Sequence, residues 1–120
     1  MPDTLTVYGL PGCDACRRAR AWLDTHGVAA RFVDVRAQAP GAHVLAQACA
    51  ALGWETVLNR RSTTWRALPE SERSVTDAAG ACALIALHPA LLKRPLLLGP
   101  GVALAGFDAP AWAAALGLAA

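Results

Sequence analysis

The residues of this chain best suited to chemistry are two cysteines three positions apart, in Gly12-Cys13-Asp14-Ala15-Cys16-Arg17. A cysteine attacks as its thiolate, and a free thiol holds its proton to a pKa near ~8.5, so something must favour the anion. The pair follows a β-branched and aromatic run, Thr4-Leu5-Thr6-Val7-Tyr8, and a loop, Leu10-Pro11-Gly12, and it opens a helical pattern. That order puts it at a helix N-terminus, where unpaired N–H groups and the macrodipole attract negative charge. Arg17 adds positive charge beside the motif. Cys13, on the loop side, is the expected nucleophile. Cys16, a turn further into the helix, is placed to close a disulfide as the resolving thiol. The same spacing also fits half of a structural zinc site, but there is no second CxxC and no HxxxH to complete one. No metal is expected. Two inert core cysteines are the remaining alternative, which the strand–turn–helix setting disfavours.

Arginines supply the other candidate chemistry. Arg17, Arg18 and Arg20 cluster, as do Arg60, Arg61 and Arg66. Either a solvated face or an anion site fits the first group. Arg94 precedes Pro95, which opens a short apolar segment. Proline is tolerated as the first residue of a strand, and an X-Pro bond can be cis. Arg94 is then either a guanidinium for an oxyanion or thiolate, or an ordinary surface arginine. Cys49 and Cys82 lie in alanine-rich helical stretches and read as small buried hydrophobes. His26 sits near a helix end, where its charge suits the dipole. His43 and His88 show no evident partner.

The elements that must position these residues follow from pattern. Thr4 to Tyr8 predicts a strand, and Asp14 to His26 a helix whose buried stripe is Ala19, Trp22, Leu23 and His26. Gly27 is its stop. Ala30 to Val35 predicts a second strand. Strand–helix–strand is the unit of a parallel sheet with a crossover helix. After the loop Ala37 to Gly41 comes an alanine-rich helix, Ala42 to Leu52, ended by Gly53. Trp54 to Leu58 is short and apolar, Asn59 to Thr64 is polar and loop-like, and Leu68-Pro69-Glu70 breaks the chain. Thr76-Asp77 caps a helix to about Leu87. Residues 38–92 thus read as a wholly helical insertion. Leu96 to Leu98 and Val102 to Ala105 form a hairpin around Gly99-Pro100-Gly101. Asp108 caps a last helix through Leu116, ended by Gly117. The expected class is α/β, in the order β-α-β, helical insert, β-β-α.

The totals agree with one folded domain spanning residues 1–120. Hydrophobic residues make up 55% of the 120, much of that fraction alanine, so the four tryptophans are expected to supply a large share of the packing. A net charge of +2 is too mild for a nucleic-acid-binding face. The most apolar stretch, Ala78 to Leu92, is interrupted by Pro89 and is shorter than the roughly 20 residues that cross a bilayer. Met1-Pro2-Asp3 does not begin a secretory signal. A cytoplasmic, reducing location is expected, in which the four cysteines do not form a disulfide framework. Nothing indicates an oligomer, so a monomer is expected.

The helix Gly12-Cys13-Asp14-Ala15-Cys16-Arg17-Arg18-Ala19-Arg20-Ala21-Trp22-Leu23 resembles the active-site helix of the arsenate reductase/Spx (ArsC-like) family. His88-Pro89-Ala90-Leu91-Leu92-Lys93-Arg94-Pro95-Leu96-Leu97 resembles that family's second signature. Leu52-Gly53-Trp54-Glu55 and the segment Leu58 to Arg66 resemble its YffB-type branch in particular. The likeness runs over about residues 4–116.

The resemblance implies a thioredoxin-like fold with a helical insertion. It also implies a thiol-dependent reductase acting on an oxyanion or a disulfide, linked to glutathione as co-substrate or to glutaredoxin or thioredoxin, with no tightly bound cofactor. The family's catalytic cysteine falls on Cys13, and the arginine before its cis-proline on Arg94, with Pro95 the proline. A further anion-binding arginine lies in the region of Arg60 and Arg61, and Arg61 keeps the spacing to Trp65. The chain also departs from the family. Arsenate reductases of this type carry another arginine near the C-terminal hairpin, where this chain has Leu104-Ala105-Gly106-Phe107. They have one active-site cysteine, whereas Cys16 here makes a CxxC. That pair is similar to Spx, a redox regulator that binds RNA polymerase, which implies partner binding as the alternative function. The tryptophan-rich middle block is not Spx-like.

Overall fold

Alternating polar and apolar residues at Leu5–Gly9 (β1) turn Val7 and Gly9 inward, and the strand leads through the Leu10–Gly12 turn into α1, Asp14–Thr25. Cys16, Ala19 and Leu23 fall on one face of α1 and are buried, while the first-turn Asp14 on the other face pairs with Arg18 at 3.1 Å and Arg17 at 3.6 Å. The predicted stripe needs correction at its end. Trp22 is half-buried and His26 is exposed. The imidazole lies 4.3 Å from the Trp22 ring, and its Nδ1–H donates to the Trp22 carbonyl at 2.8 Å, so it closes the helix end from outside. Gly27, at φ +67°, supplies the left-handed residue that turns the chain toward β2, Ala30–Asp34. This computed structural model describes residues 4–118; Met1-Pro2-Asp3, on which the no-signal reading rests, lie outside the described residues.

The remaining elements are α2 (Ala42–Leu52), α3 (Trp54–Val57), α4 (Thr63–Ala67), α5 (Ala78–Leu87), a single 3-10 turn at Pro89–Leu91, β3 (Leu96–Gly99), β4 (Val102–Ala105) and α6 (Ala109–Ala115). The chain divides into two compact units, one formed by the segment up to Asp34 together with that from Arg94 onward, the other by Val35–Lys93.

The first unit is built on one sheet of order β2-β1-β3-β4. β1 and β2 run parallel with Val7 opposite Phe32, which requires a crossover connection, here α1. β1 and β3 are antiparallel with Thr6 opposite Leu98, and β3 and β4 form the hairpin, turned at Pro100-Gly101 with Gly101 at φ +71°. This β-α-β … β-β-α arrangement is thioredoxin-like. Its core is Val7, Ala19, Leu23, Leu97 and Trp112, flanked by Trp22, Phe32, Leu104 and Phe107. Phe107 meets Trp112 edge to face at 5.0 Å, and the Trp112 Nε1–H donates to the Gly106 carbonyl at 3.0 Å. Asp108 caps α6 by accepting the Ala111 N–H at 3.2 Å.

In the second unit α2 packs on α3 and α5. Its buried residues include Leu45, Ala48, Cys49, Val57, Leu58, Ala81, Ile85, Leu91 and Leu92. Aliphatic side chains dominate, and Trp54 and Trp65 are only half-buried, so of the four tryptophans expected to carry the packing Trp112 alone is fully buried. The unit is not wholly helical: Leu58 bridges Leu92 in antiparallel fashion, and turns and bends occupy most of residues 68–77. Within the stretch predicted as loop, Thr63 and Thr64 begin α4, because the Ser62 hydroxyl accepts the Trp65 N–H at 3.1 Å and starts a helix there. His88 has a partner after all, with Nε2 at 3.6 Å from Glu72 Oε1. Among the described residues, no helix is long and apolar enough to cross a membrane.

Candidate active site

Cys13 occupies the N-cap of α1, with extended backbone (φ −75°, ψ 127°), and its N–H donates to the Leu10 carbonyl at 3.1 Å. An N-cap side chain faces the first free N–H groups of the helix. The thiol makes no strict capping hydrogen bond, yet the Cys16 amide lies close enough to favour a thiolate there. Cys16 is completely buried in the first turn, and its sulfur rests against Gly9 at the end of β1. A Cβ at Gly9 falls 2.5 Å from Cys16 Sγ, inside any tolerable contact, so the missing side chain makes the space for this thiol.

β3 begins at Leu96, opposite Tyr8, so the segment entering it arrives at the end of β1 from which the chain runs on to Cys13. That segment is Arg94-Pro95, joined by a cis peptide bond. Pro95 is buried, and its carbonyl accepts the Gly106 N–H at 2.9 Å. The Arg94 guanidinium thereby reaches the Cys13 thiol.

The two thiols are treated oppositely. Partial burial of Cys13 opposes ionisation, but the Cys16 amide, the Cys16 thiol as donor and the Arg94 guanidinium together outweigh it, and its pKa is lowered. Deeper burial pushes Cys16 up to about 11; an N–H from Leu10 offsets this in part, while the neighbouring Cys13 adds to it. One sulfur is thus half-exposed and readily ionised, and the other is buried and protonated beside it.

Of the other residues singled out, Arg17 is exposed on α1 and engages Asp14; the lowering at Cys13 comes from Cys16 and Arg94. Arg60 and Arg61 lie in the helical unit, in the turn between α3 and α4. The Arg60 guanidinium sits 5.6 Å from the Trp54 ring centroid, and the Arg61 N–H donates to Asn59 Oδ1 at 3.1 Å. Among the described residues, no group of three or more His, Cys, Asp or Glu side chains comes together as a metal site. Sequence reasoning overlooked Gly9; a glycine closing the strand just before a CxxC was the available signal.

A β-α-β … β-β-α sheet with a helix-capping CxxC and an Arg–cis-Pro entering β3 defines a thioredoxin-like protein bearing a dithiol site. The ArsC family model matches residues 8–115, and the chain belongs to that family. Among solved structures it is similar to a YffB protein, at 43% identity and TM-score 0.89, covering 94% of this chain and 99% of the other. It is also similar to an arsenate reductase (ArsC) related protein from Brucella melitensis, at 37% identity and TM-score 0.70, covering 96% of each chain. An uncharacterized protein of Haemophilus influenzae is 38% identical over 92% of this chain and 97% of its own length.

Proposed function

We propose that this protein is a thiol-dependent reductase of the arsenate-reductase-like type, with Cys13 as its nucleophile. The observation that carries this reading is the contrast between a half-exposed Cys13 of lowered pKa and a buried Cys16 held protonated beside it. An attacking thiol needs its anion at working pH, whereas a resolving thiol can stay protonated until the mixed disulfide has formed and then passes its proton to the thiolate it displaces.

With a glutathione mixed disulfide as substrate, the Cys13 thiolate attacks one sulfur and expels the other as a thiolate. Cys16 gives up its proton, attacks the Cys13 sulfur and releases the second half of the substrate as a thiol. Two electrons have passed from the cysteines to the substrate. Two glutathione molecules, or a glutaredoxin or thioredoxin, return them and leave a disulfide of their own. An oxyanion such as arsenate enters by the same attack, one of its oxygens taking a proton and leaving as water as Cys13 bonds to arsenic. Cys16 then attacks the Cys13 sulfur, the electron pair of the broken bond stays on arsenic, and arsenite leaves as the disulfide forms. In that case Arg94 steadies the anion against Cys13, Pro95 shapes the edge of the site, and Arg61, Arg60 and Arg17 act as substrate-binding cations. No tightly bound cofactor enters the scheme, and the protein acts as a cytoplasmic monomer.

The test is NADPH consumption coupled through glutathione and glutathione reductase, with arsenate, a small disulfide and a glutathionylated peptide offered in parallel. Turnover with at least one substrate, abolished in Cys13→Ser, is the expected result. A Cys13→Ser variant as active as the parent refutes the assignment. No turnover at all despite a reactive Cys13 favours instead a redox-sensing regulator that binds a protein such as RNA polymerase.

A further inference from the structure

The helical unit holds a second pair of thiols. Cys49 on α2 and Cys82 on α5 are 33 positions apart in sequence, yet their sulfurs meet at 3.7 Å, one thiol donating to the other. Alanines make the approach possible: Ala48 and Ala81, each adjoining a cysteine, are fully buried and let the helices pack closely. Bond formation requires the sulfurs to close from 3.7 Å to about 2.05 Å, a movement within reach of side-chain rotation and a small helix shift.

We propose that Cys49 and Cys82 form a second, reversible redox couple, separate from Cys13 and Cys16, that a peroxide oxidises to a disulfide bridging α2 and α5. The two sulfurs are not equivalent. Cys82 is partly exposed and open to a small oxidant, while Cys49 is buried. Burial and the neighbouring Cys82 also push the Cys49 thiol up to about 11, which suits it to resolve rather than attack. The Cys82 thiolate attacks one oxygen of hydrogen peroxide and expels hydroxide, leaving a sulfenic acid. The Cys49 thiol then displaces the sulfenic oxygen, which leaves as water when it takes the Cys49 proton. Two electrons pass from the sulfurs to the peroxide. A dithiol reductant or two glutathione molecules reverse the step by thiol–disulfide exchange. Cys13 has the Arg94 guanidinium beside it to favour its thiolate, so Cys13 is expected to oxidise before this couple.

Peptide mapping of the full-length wild-type protein tests the proposal directly. Trypsin separates Cys49, in the peptide 37–60, from Cys82, in the peptide 74–93, and leaves Cys13 and Cys16 together in a third. The reduced protein is titrated with hydrogen peroxide, free thiols are blocked with N-ethylmaleimide, and the digest is analysed by mass spectrometry. The expected result is a cross-linked pair of peptides 37–60 and 74–93 that lacks two hydrogens, appears after the Cys13 peptide has changed, and disappears on treatment with dithiothreitol. Cys82→Ala is expected to leave Cys49 fully labelled while Cys13 still oxidises. The proposal is overturned if both thiols stay labelled at peroxide levels that fully convert Cys13. It is equally overturned if Cys82 is recovered as sulfinic acid or as an intermolecular disulfide with Cys49 still free.

Discussion

Replacing Gly9 by alanine tests the geometry that seats the resolving thiol. In an accommodating strand, glycine to alanine stabilises by about 0.4–1 kcal/mol, because the unfolded chain loses freedom. Here the new methyl sits 2.5 Å from Cys16 Sγ, roughly 1 Å inside an ordinary contact of about 3.5 Å. Cys16 is fully buried, so its sulfur has little room to retreat. Overpacking of this kind costs about 1–3 kcal/mol, which outweighs the entropic gain and leaves a net loss of about 1–2 kcal/mol. Any rotation that relieves the overlap also moves the Cys16 thiol away from Cys13, removing a hydrogen bond that lowers the Cys13 pKa. Urea unfolding in reductant and the pH profile of Cys13 alkylation measure the two effects. Adding Cys16→Ala removes the offending sulfur, and the next nearest atom of that residue is its Cβ at 3.5 Å, an ordinary contact. The double variant is therefore expected to recover stability, with a coupling of about 1–3 kcal/mol between the sites. A Gly9→Ala protein more stable than the parent, or two substitutions whose effects simply add, refutes the reasoning.

Arg94→Ala is expected to raise the Cys13 pKa and slow its alkylation at neutral pH, since both a hydrogen bond and a favourable charge are lost; an unchanged alkylation profile removes Arg94 from the site. Stability in reductant is expected to fall between pH 9 and about pH 11, because Cys16 and Cys49 are both raised from 9.0 to about 11 when folded. The neutral thiol is the form that folding favours, so its contribution is complete below pH 9 and lost by pH 11. The loss is on the order of a few kcal/mol for the two thiols together, and Cys49→Ala should flatten the curve. Asp108→Ala removes the side chain that accepts the Ala111 N–H and is expected to cost about 1 kcal/mol in urea unfolding, with little change in Cys13 reactivity.

The parts of the fold legible in the sequence are those written in local pattern. Val7 and Tyr8 mark a strand, Ala19 and Leu23 a helix face, Gly27 a stop, and Gly99-Pro100-Gly101 a hairpin. Local order also located Cys13 and Cys16, because a strand, a turn and a helix start follow one another in the chain. Contacts between distant positions left no such trace. Periodicity put His26 on the buried face of α1, but a ring stacked outside Trp22 has the same spacing as one packed inside. Ser62 carried a capping signal that the polarity of its neighbours masked. Nothing in the two alanine-rich stretches shows that Cys49 faces Cys82, or that His88 reaches Glu72, since each pairing depends on how separate segments pack. Arg94 was ambiguous on its own and gained a role only from resemblance, because its reach to Cys13 depends on the pairing of β1 with β3.

That pairing also bears on the order in which the protein can assemble. The sheet is encoded in two instalments: β1 and β2 lie before Val35, while β3 and β4 lie after Lys93. On the ribosome β1 and β2 emerge with β3, the other neighbour of β1, still unmade, while every element of the helical unit is in hand before β3 appears. Joining Thr6 to Leu98 closes a long loop, an entropic cost that falls as the intervening chain becomes ordered. All the segments of the helical unit are therefore available before that loop closes, and the dithiol site, which needs Arg94 beside Cys13, is completed only when β3 pairs with β1. A nascent chain released before Arg94 is made carries Cys13 with only the Cys16 amide and thiol to favour its thiolate, so the thiol is less acidic there than in the finished protein.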